Sequence, residues 1–99
     1  MVELYDHDPA EVLDTPEGIA AFLTDAFESG DRAFIAHALG IAARARGMSV
    51  LAQETGLSRT HLYDAFNDNG NPTLETTLKL LKAFGVDLAA KPRQEAEAS

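Results

Sequence analysis

The chain has 99 residues, no cysteine and a formal net charge of −8. That length supports one domain with its own core and not two that fold independently, and the lack of cysteine excludes disulfides, thiolate metal sites and thiol nucleophiles. No run of 18 apolar residues occurs and the opening residues Met1 to Asp8 are acidic where a secretory signal is basic, so a cytoplasmic protein with no membrane partner is expected.

Residues 1–14 hold acids, Pro9 and apolar residues without a clear period, and are expected to form an extended arm anchored by Leu4, Tyr5, Val12 and Leu13. Thr15 before Pro16 is a helix start, with the hydroxyl as N-cap and proline at the first helical position. Ile19, Phe22, Leu23, Ala26 and Phe27 then make one apolar face, which predicts a helix over roughly 16–28. Ser29-Gly30-Asp31 breaks it, and Asp31 caps the next segment. From Arg32 to Arg46, Phe34, Ile35, Ala38, Leu39, Ala42 and Ala45 recur at helical spacing, and Gly47 is the stop.

Ser49 is expected to cap a short helix through Thr55, Gly56 punctuates, and Ser58 caps another that runs to about Phe66. Asn67-Asp68-Asn69-Gly70-Asn71-Pro72 reads as a loop. Thr73 caps a last helix in which Leu74, Leu78, Leu81 and Phe84 are expected to face inward, and Gly85 ends it. Val86 to Ala90 reads as one short strand whose available pair is the same strand of a second copy. Lys91 to Ser99 has no large apolar residue and is expected to be a disordered tail. The expected fold is all-α, a five-helix bundle over 15–90 between the arm at 1–14 and the tail at 91–99, with that strand pairing across a dimer.

Met48 to Phe66 meets the demands of a helix-turn-helix. Ala52 is small where two backbones approach, Gly56 tolerates the left-handed conformation of the turn, and Leu51, Leu57, Leu62 and Phe66 supply inward apolar groups. With Leu62, Ala65 and Phe66 inside, the second helix presents Arg59, Thr60, His61 and Tyr63 outward, followed by Asn67. Arg59 is suited to guanine O6 and N7, and Thr60 to a thymine methyl or a base edge, with Tyr63 beside them. Ser49, Ser58, His61, Asn67, Asn69 and Asn71 are the candidates for phosphate contact or positioning. Leu74, Leu78, Leu81 and Phe84 either fill the core or mediate dimerisation, with the core favoured for Leu78 and Leu81, and Phe84, Val86 and Leu88 are the candidates for a dimer interface. Charge sits unevenly: residues 1–47 hold nine acidic and three basic side chains, residues 48–88 five and three. The least acidic folded part is the one read as DNA-binding, and the acidic half suits a basic partner.

Gly47-Met48-Ser49, Leu51-Ala52, Thr55-Gly56-Leu57-Ser58-Arg59, Leu62-Tyr63, Gly70-Asn71-Pro72, Thr77-Leu78-Lys79 and Phe84-Gly85 resemble the phage-repressor-type (Xre or Cro/CI) helix-turn-helix. With Leu13-Asp14, Ile19-Ala20, Ala36 to Leu39 and Ala42 to Gly47, the pattern more narrowly resembles the addiction-module antidote proteins, antitoxins related to HigA. The resemblance implies a homodimeric antitoxin that binds its own palindromic, double-stranded operator and neutralises a small basic toxin of the RelE/ParE-like superfamily, encoded by the adjacent gene. Asp64 departs from the pattern, since such proteins often carry a basic or polar residue there.

Other constellations carry less. Asp6-His7-Asp8 lies in the arm with adjacent side chains pointing apart, His37 reads as a surface or interface residue, and His61 lacks a second metal ligand at i+4. No Gly-rich phosphate loop and no activated nucleophile appears, so neither enzymatic activity nor a cofactor or metal is expected. The alternatives are a stand-alone phage-repressor-like regulator without a toxin partner, and an interaction module in which the helix pair is only structural.

Overall fold

Helix boundaries fall where short-range hydrogen bonds can satisfy the backbone groups that a helix leaves open at its ends. The computed structural model describes residues 13–67 and 69–93. These form α1 (Pro16–Ser29), α2 (Arg32–Arg46), α3 (Met48–Thr55), α4 (Arg59–Phe66) and α5 (Leu74–Phe84). Thr15 Oγ1 accepts the Gly18 N–H at 3.0 Å, and Asp31 accepts those of Ala33 and Phe34. Ser58 Oγ accepts the His61 N–H and Thr73 Oγ1 that of Thr76, each at 3.0 Å. Four of the five helices thus start on an oxygen-bearing side chain three residues or fewer before the amide it holds.

The exception is α3. Its N-cap is Gly47 and no side chain caps it, so Ser49 lies within the first turn and is not the cap expected of it. Gly47, at φ 105, turns the chain out of α2 and directly into α3, and as the single residue between the two helices it has no hydroxyl with which to cap.

The core gathers around α2, which packs against α1, α3 and α4. Ala36, Ala38, Leu39, Gly40, Ala42 and Ala43 are buried, spread over roughly 200° of the helix at 100° per residue. Small side chains allow this. A Cβ on Gly40 would sit 3.1 Å from the Phe66 Cβ. Phe34 and Ala45, expected inside, are exposed, because the buried arc of α2 is centred on the opposite side from them. Leu13 is buried with Ile19, Leu23 and Ala26 of α1 in the same core as Leu51, Leu62, Ala65 and Phe66. The expected anchors Leu4, Tyr5 and Val12, and the Asp6-His7-Asp8 run, lie outside the described residues.

In α5 the inward residues are Thr76, Leu80, Leu81 and Phe84. Leu81 and Phe84 are where the sequence puts them, but Leu74 and Leu78 are exposed. Leucines on this helix span a wider arc than its neighbours cover, and the buried Thr76 rotates the helix away from the Leu74–Leu78 side. Thr76 can be buried because its hydroxyl is satisfied by Thr73 Oγ1 at 3.1 Å and His61 Nε2 at 3.2 Å.

The helix then closes at Gly85, whose N–H donates to Lys82, while the Val86 N–H donates to the Leu81 carbonyl, both at 3.0 Å. This crossed pair is the Schellman ending. It commits Val86 to the helix terminus and packs its half-buried side chain on the core. Among the described residues there is no strand, and Val86 to Ala90 follow a non-regular path. Of the segment expected to be tail, Lys91 pairs with Glu28 of α1, and residues 94–99 lie outside the described residues. Among the described residues no helix is long and apolar enough to cross a membrane.

Two substitutions test this packing. Leu80→Ala is expected to cost about 2–5 kcal/mol, since Leu80 is fully buried. Gly70→Ala places a Cβ 2.2 Å from the Ala65 carbonyl oxygen and is expected to cost about 1–3 kcal/mol. Urea denaturation monitored by circular dichroism checks both.

Candidate nucleic-acid interface

The turn between α3 and α4 is built from three residues. Thr55 Oγ1 donates to the Leu51 carbonyl at 2.7 Å and accepts the Leu57 N–H at 3.1 Å, so one hydroxyl bridges the end of α3 to the turn. Gly56 follows in the left-handed region at φ 78, with its N–H on the Ala52 carbonyl. A side chain there would be strained. Leu57 packs half-buried against the core, and Ser58 opens α4.

Once Leu62, Ala65 and Phe66 are buried, α4 presents Arg59, Thr60, His61, Tyr63 and Asp64 to solvent. Arg59 and Tyr63 lie one turn apart, with the guanidinium carbon 6.0 Å from the ring centroid. That is the outer limit of a cation–π contact; it steers the Arg59 side chain along the helix while leaving its donors open. The Ser58 hydroxyl oxygen is occupied by the His61 amide, so the helix provides no acceptor for the amides of Arg59 and Thr60. These two amides, the positive end of the helix dipole and the Arg59 guanidinium together favour an anion. Asp64, exposed one turn beyond Thr60, opposes one.

His61 is placed differently from Arg59, Thr60 and Tyr63. Its Nε2 is 3.2 Å from Thr76 Oγ1, so its ring braces α4 against the start of α5. Ser49 is exposed at the uncapped start of α3, beside amides that no side chain holds. Asn67 Oδ1 accepts the Asn69 N–H at 2.9 Å and is used in shaping the loop. Asn69 and Asn71 are exposed on either side of the buried Gly70. Of the residues expected at a dimer interface, Phe84 is buried in the chain's own core and Val86 is half-buried, while Leu88 is exposed.

Two positioning contacts were not visible in the sequence. Arg32 Nη1 donates to the Gly70 carbonyl at 2.6 Å, tying the first residue of α2 to the loop after α4 across 38 positions. Arg46 makes a two-pronged contact with Glu54, at 2.8 and 3.3 Å, which clamps the end of α2 to α3. Neither pairing has a local signal: no spacing rule connects residues so far apart, and both arginines read equally well as solvated charges.

The Arg32 contact has a measurable consequence. Arg32→Ala is expected to cost about 1 kcal/mol and to raise hydrogen exchange at the Gly70 amide. Arg32→Lys, lacking the planar fork, is expected to recover part of the loss.

A family model described as "Probable addiction module antidote protein" matches residues 3–92. An uncharacterized protein of Haemophilus influenzae is 40% identical over 84 residues, which is 85% of this chain and 87% of that protein. No solved structure matches. A family match across nearly the whole chain, and a relative of nearly the same extent, place this chain in the addiction module antidote family.

Proposed function

We propose that this chain is an antitoxin that both neutralises a small basic toxin and represses its own operon, with α3 and α4 as a phage-repressor-type helix-turn-helix of the HigA-related kind. The observation that carries the DNA half is the exposed Arg59–Tyr63 pair at the start of α4, next to amides with no acceptor in the helix. In this role Arg59 and Thr60 read base edges and Tyr63 contributes beside them, while Ser49, Ser58, Asn67, Asn69 and Asn71 hold phosphates. Two copies bind a palindromic double-stranded operator, because a single basic residue on α4 is too little charge for one copy to bind tightly.

The family supports the toxin half, and so does charge: Asp14, Glu17, Asp25, Glu28 and Asp31 run along and beside α1 with no basic residue among them. A basic partner encoded next door is attracted to that half, and DNA is repelled by it. The protein acts by binding, without catalysis, in the cytoplasm.

Co-expression with the adjacent gene tests the toxin half: rescue of growth and co-purification of a 1:1 or higher complex are expected. A neighbour that is harmless and does not bind would leave a stand-alone regulator. For the DNA half, Arg59→Ala with Thr60→Ala is expected to weaken binding to the chain's own upstream DNA by about 1–3 kcal/mol per lost base contact, with less effect on random DNA. Unchanged binding in a mobility-shift titration would remove α4 as the recognition helix.

A further inference from the structure

Gly85 lies against Pro16 at the start of α1: a Cβ on it would come within 3.3 Å of the proline Cγ. Further along the chain Lys91 pairs with Glu28, near the end of the same helix. From Pro16 to Glu28 the helix rises about 18 Å, a distance that the chain from Gly85 to Lys91 covers in an extended path of about 20 Å. Val86 to Lys91 therefore run as a strap along α1, in the same direction as the helix.

The strap is lightly held. Past the Val86 N–H no backbone hydrogen bond ties it to the helices among the described residues, and Leu88 is exposed. The side chains of Lys91 and Glu28 are 68% and 48% exposed, so water and salt screen their attraction. An open groove of about 870 Å³ remains between strap and helix, with Ala20, Leu23, Thr24 and Phe27 on the α1 side. Among the described residues Glu28 is the one acid on or beside α1 that holds a cation, and that cation belongs to the same chain. An extended segment carrying a lysine is thus the chemistry that this flank of α1 already accepts. A basic partner has to bring its own cation to Glu28 past the like charge of Lys91 and Arg93, which line the same groove.

We propose that residues 86–93 are an intramolecular competitor for the basic partner. The strap closes the flank of α1 with the chain's own lysine, and the partner opens it by taking the place of Lys91 on Glu28 and laying an extended segment of its own in the groove. The proposal rests on the reading that a basic protein binds the acidic half. Competition of this kind divides the partner's affinity by the fraction of chains whose strap is open, and an ion pair as exposed as this one sets that fraction within a few fold of unity.

The chain has no cysteine, so a nitroxide on Ala90→Cys of the full chain reports the strap alone, through paramagnetic broadening of the amide signals of residues 20–28. The broadening is expected in the free chain and is expected to be relieved both by a lysine decapeptide and by the purified product of the adjacent gene. Calorimetric titration with that product then compares Lys91→Gln with Lys79→Gln, which makes the same charge change on α5. Lys91→Gln is expected to bind about two- to fivefold more tightly than Lys79→Gln. A free chain without broadening at α1, broadening that persists with both ligands, or a Lys91→Gln chain that binds no tighter than Lys79→Gln would overturn the proposal. The two readings fail separately. A gene product that binds while the strap stays closed sinks the competitor alone, and a decapeptide that opens the strap where the gene product does not bind sinks the toxin reading alone.

Discussion

The alanine and glycine wall of α2 decides how near the other helices can come. Ala36, Ala38, Gly40, Ala42 and Ala43 are all buried, and with little side chain between backbones α1 closes on one part of the wall while α3 and α4 close on another. Dispersion between closely packed atoms is small for each pair and large in sum. An α2 with larger residues at these positions would push α4 outward, and every side chain on its exposed face would move with it.

Polar contacts then fix the orientation that apolar packing leaves loose. Ser58 holds the first turn of α4, the Thr73–Thr76–His61 chain joins α4 to α5, Arg46 joins α2 to α3, and Arg32 holds the loop after α4. Each supports α4 or its flanks from behind or from an end. The side chains of Arg59, Thr60 and Tyr63 are left without a hydrogen-bond partner of their own chain among the described residues, which is what a surface that meets a ligand requires. The same contacts explain why His61, although on the same helix, does structural work: it lies on the edge of α4 nearest α5.

Charge is distributed unevenly over the molecule. The acidic run on and beside α1 lies on a helix whose main partner is α2, and the sole basic residue of α4 is Arg59. Phosphate neutralisation supplies most non-specific affinity for DNA, so under the proposed repressor role a chain of this charge would gain little by binding at random and would depend on oriented contacts and on repetition of the site. For a basic protein partner the same charge is an advantage, raising the rate of encounter.

Four of the five helix starts, and all the glycine stops, were legible in the sequence, because a cap joins residues at most a few positions apart and carries its own signature. The turn at Gly56 and the outward set Arg59, Thr60, His61, Tyr63 and Asn67 were legible for the same reason. Which arc of α5 faces inward was not: leucines at 74, 78, 80 and 81 offer two faces, and only the neighbours that reach Leu80 and the buried Thr76 select one. Val86 reads as strand by composition and is held as a helix ending by two hydrogen bonds. The pairings of Arg32 with Gly70 and of His61 with Thr76 likewise exist only once the helices have packed. Local hydrogen bonding sets where each helix begins and ends, and the tertiary structure decides the rotation of each helix about its axis, because rotation depends on which faces other helices cover.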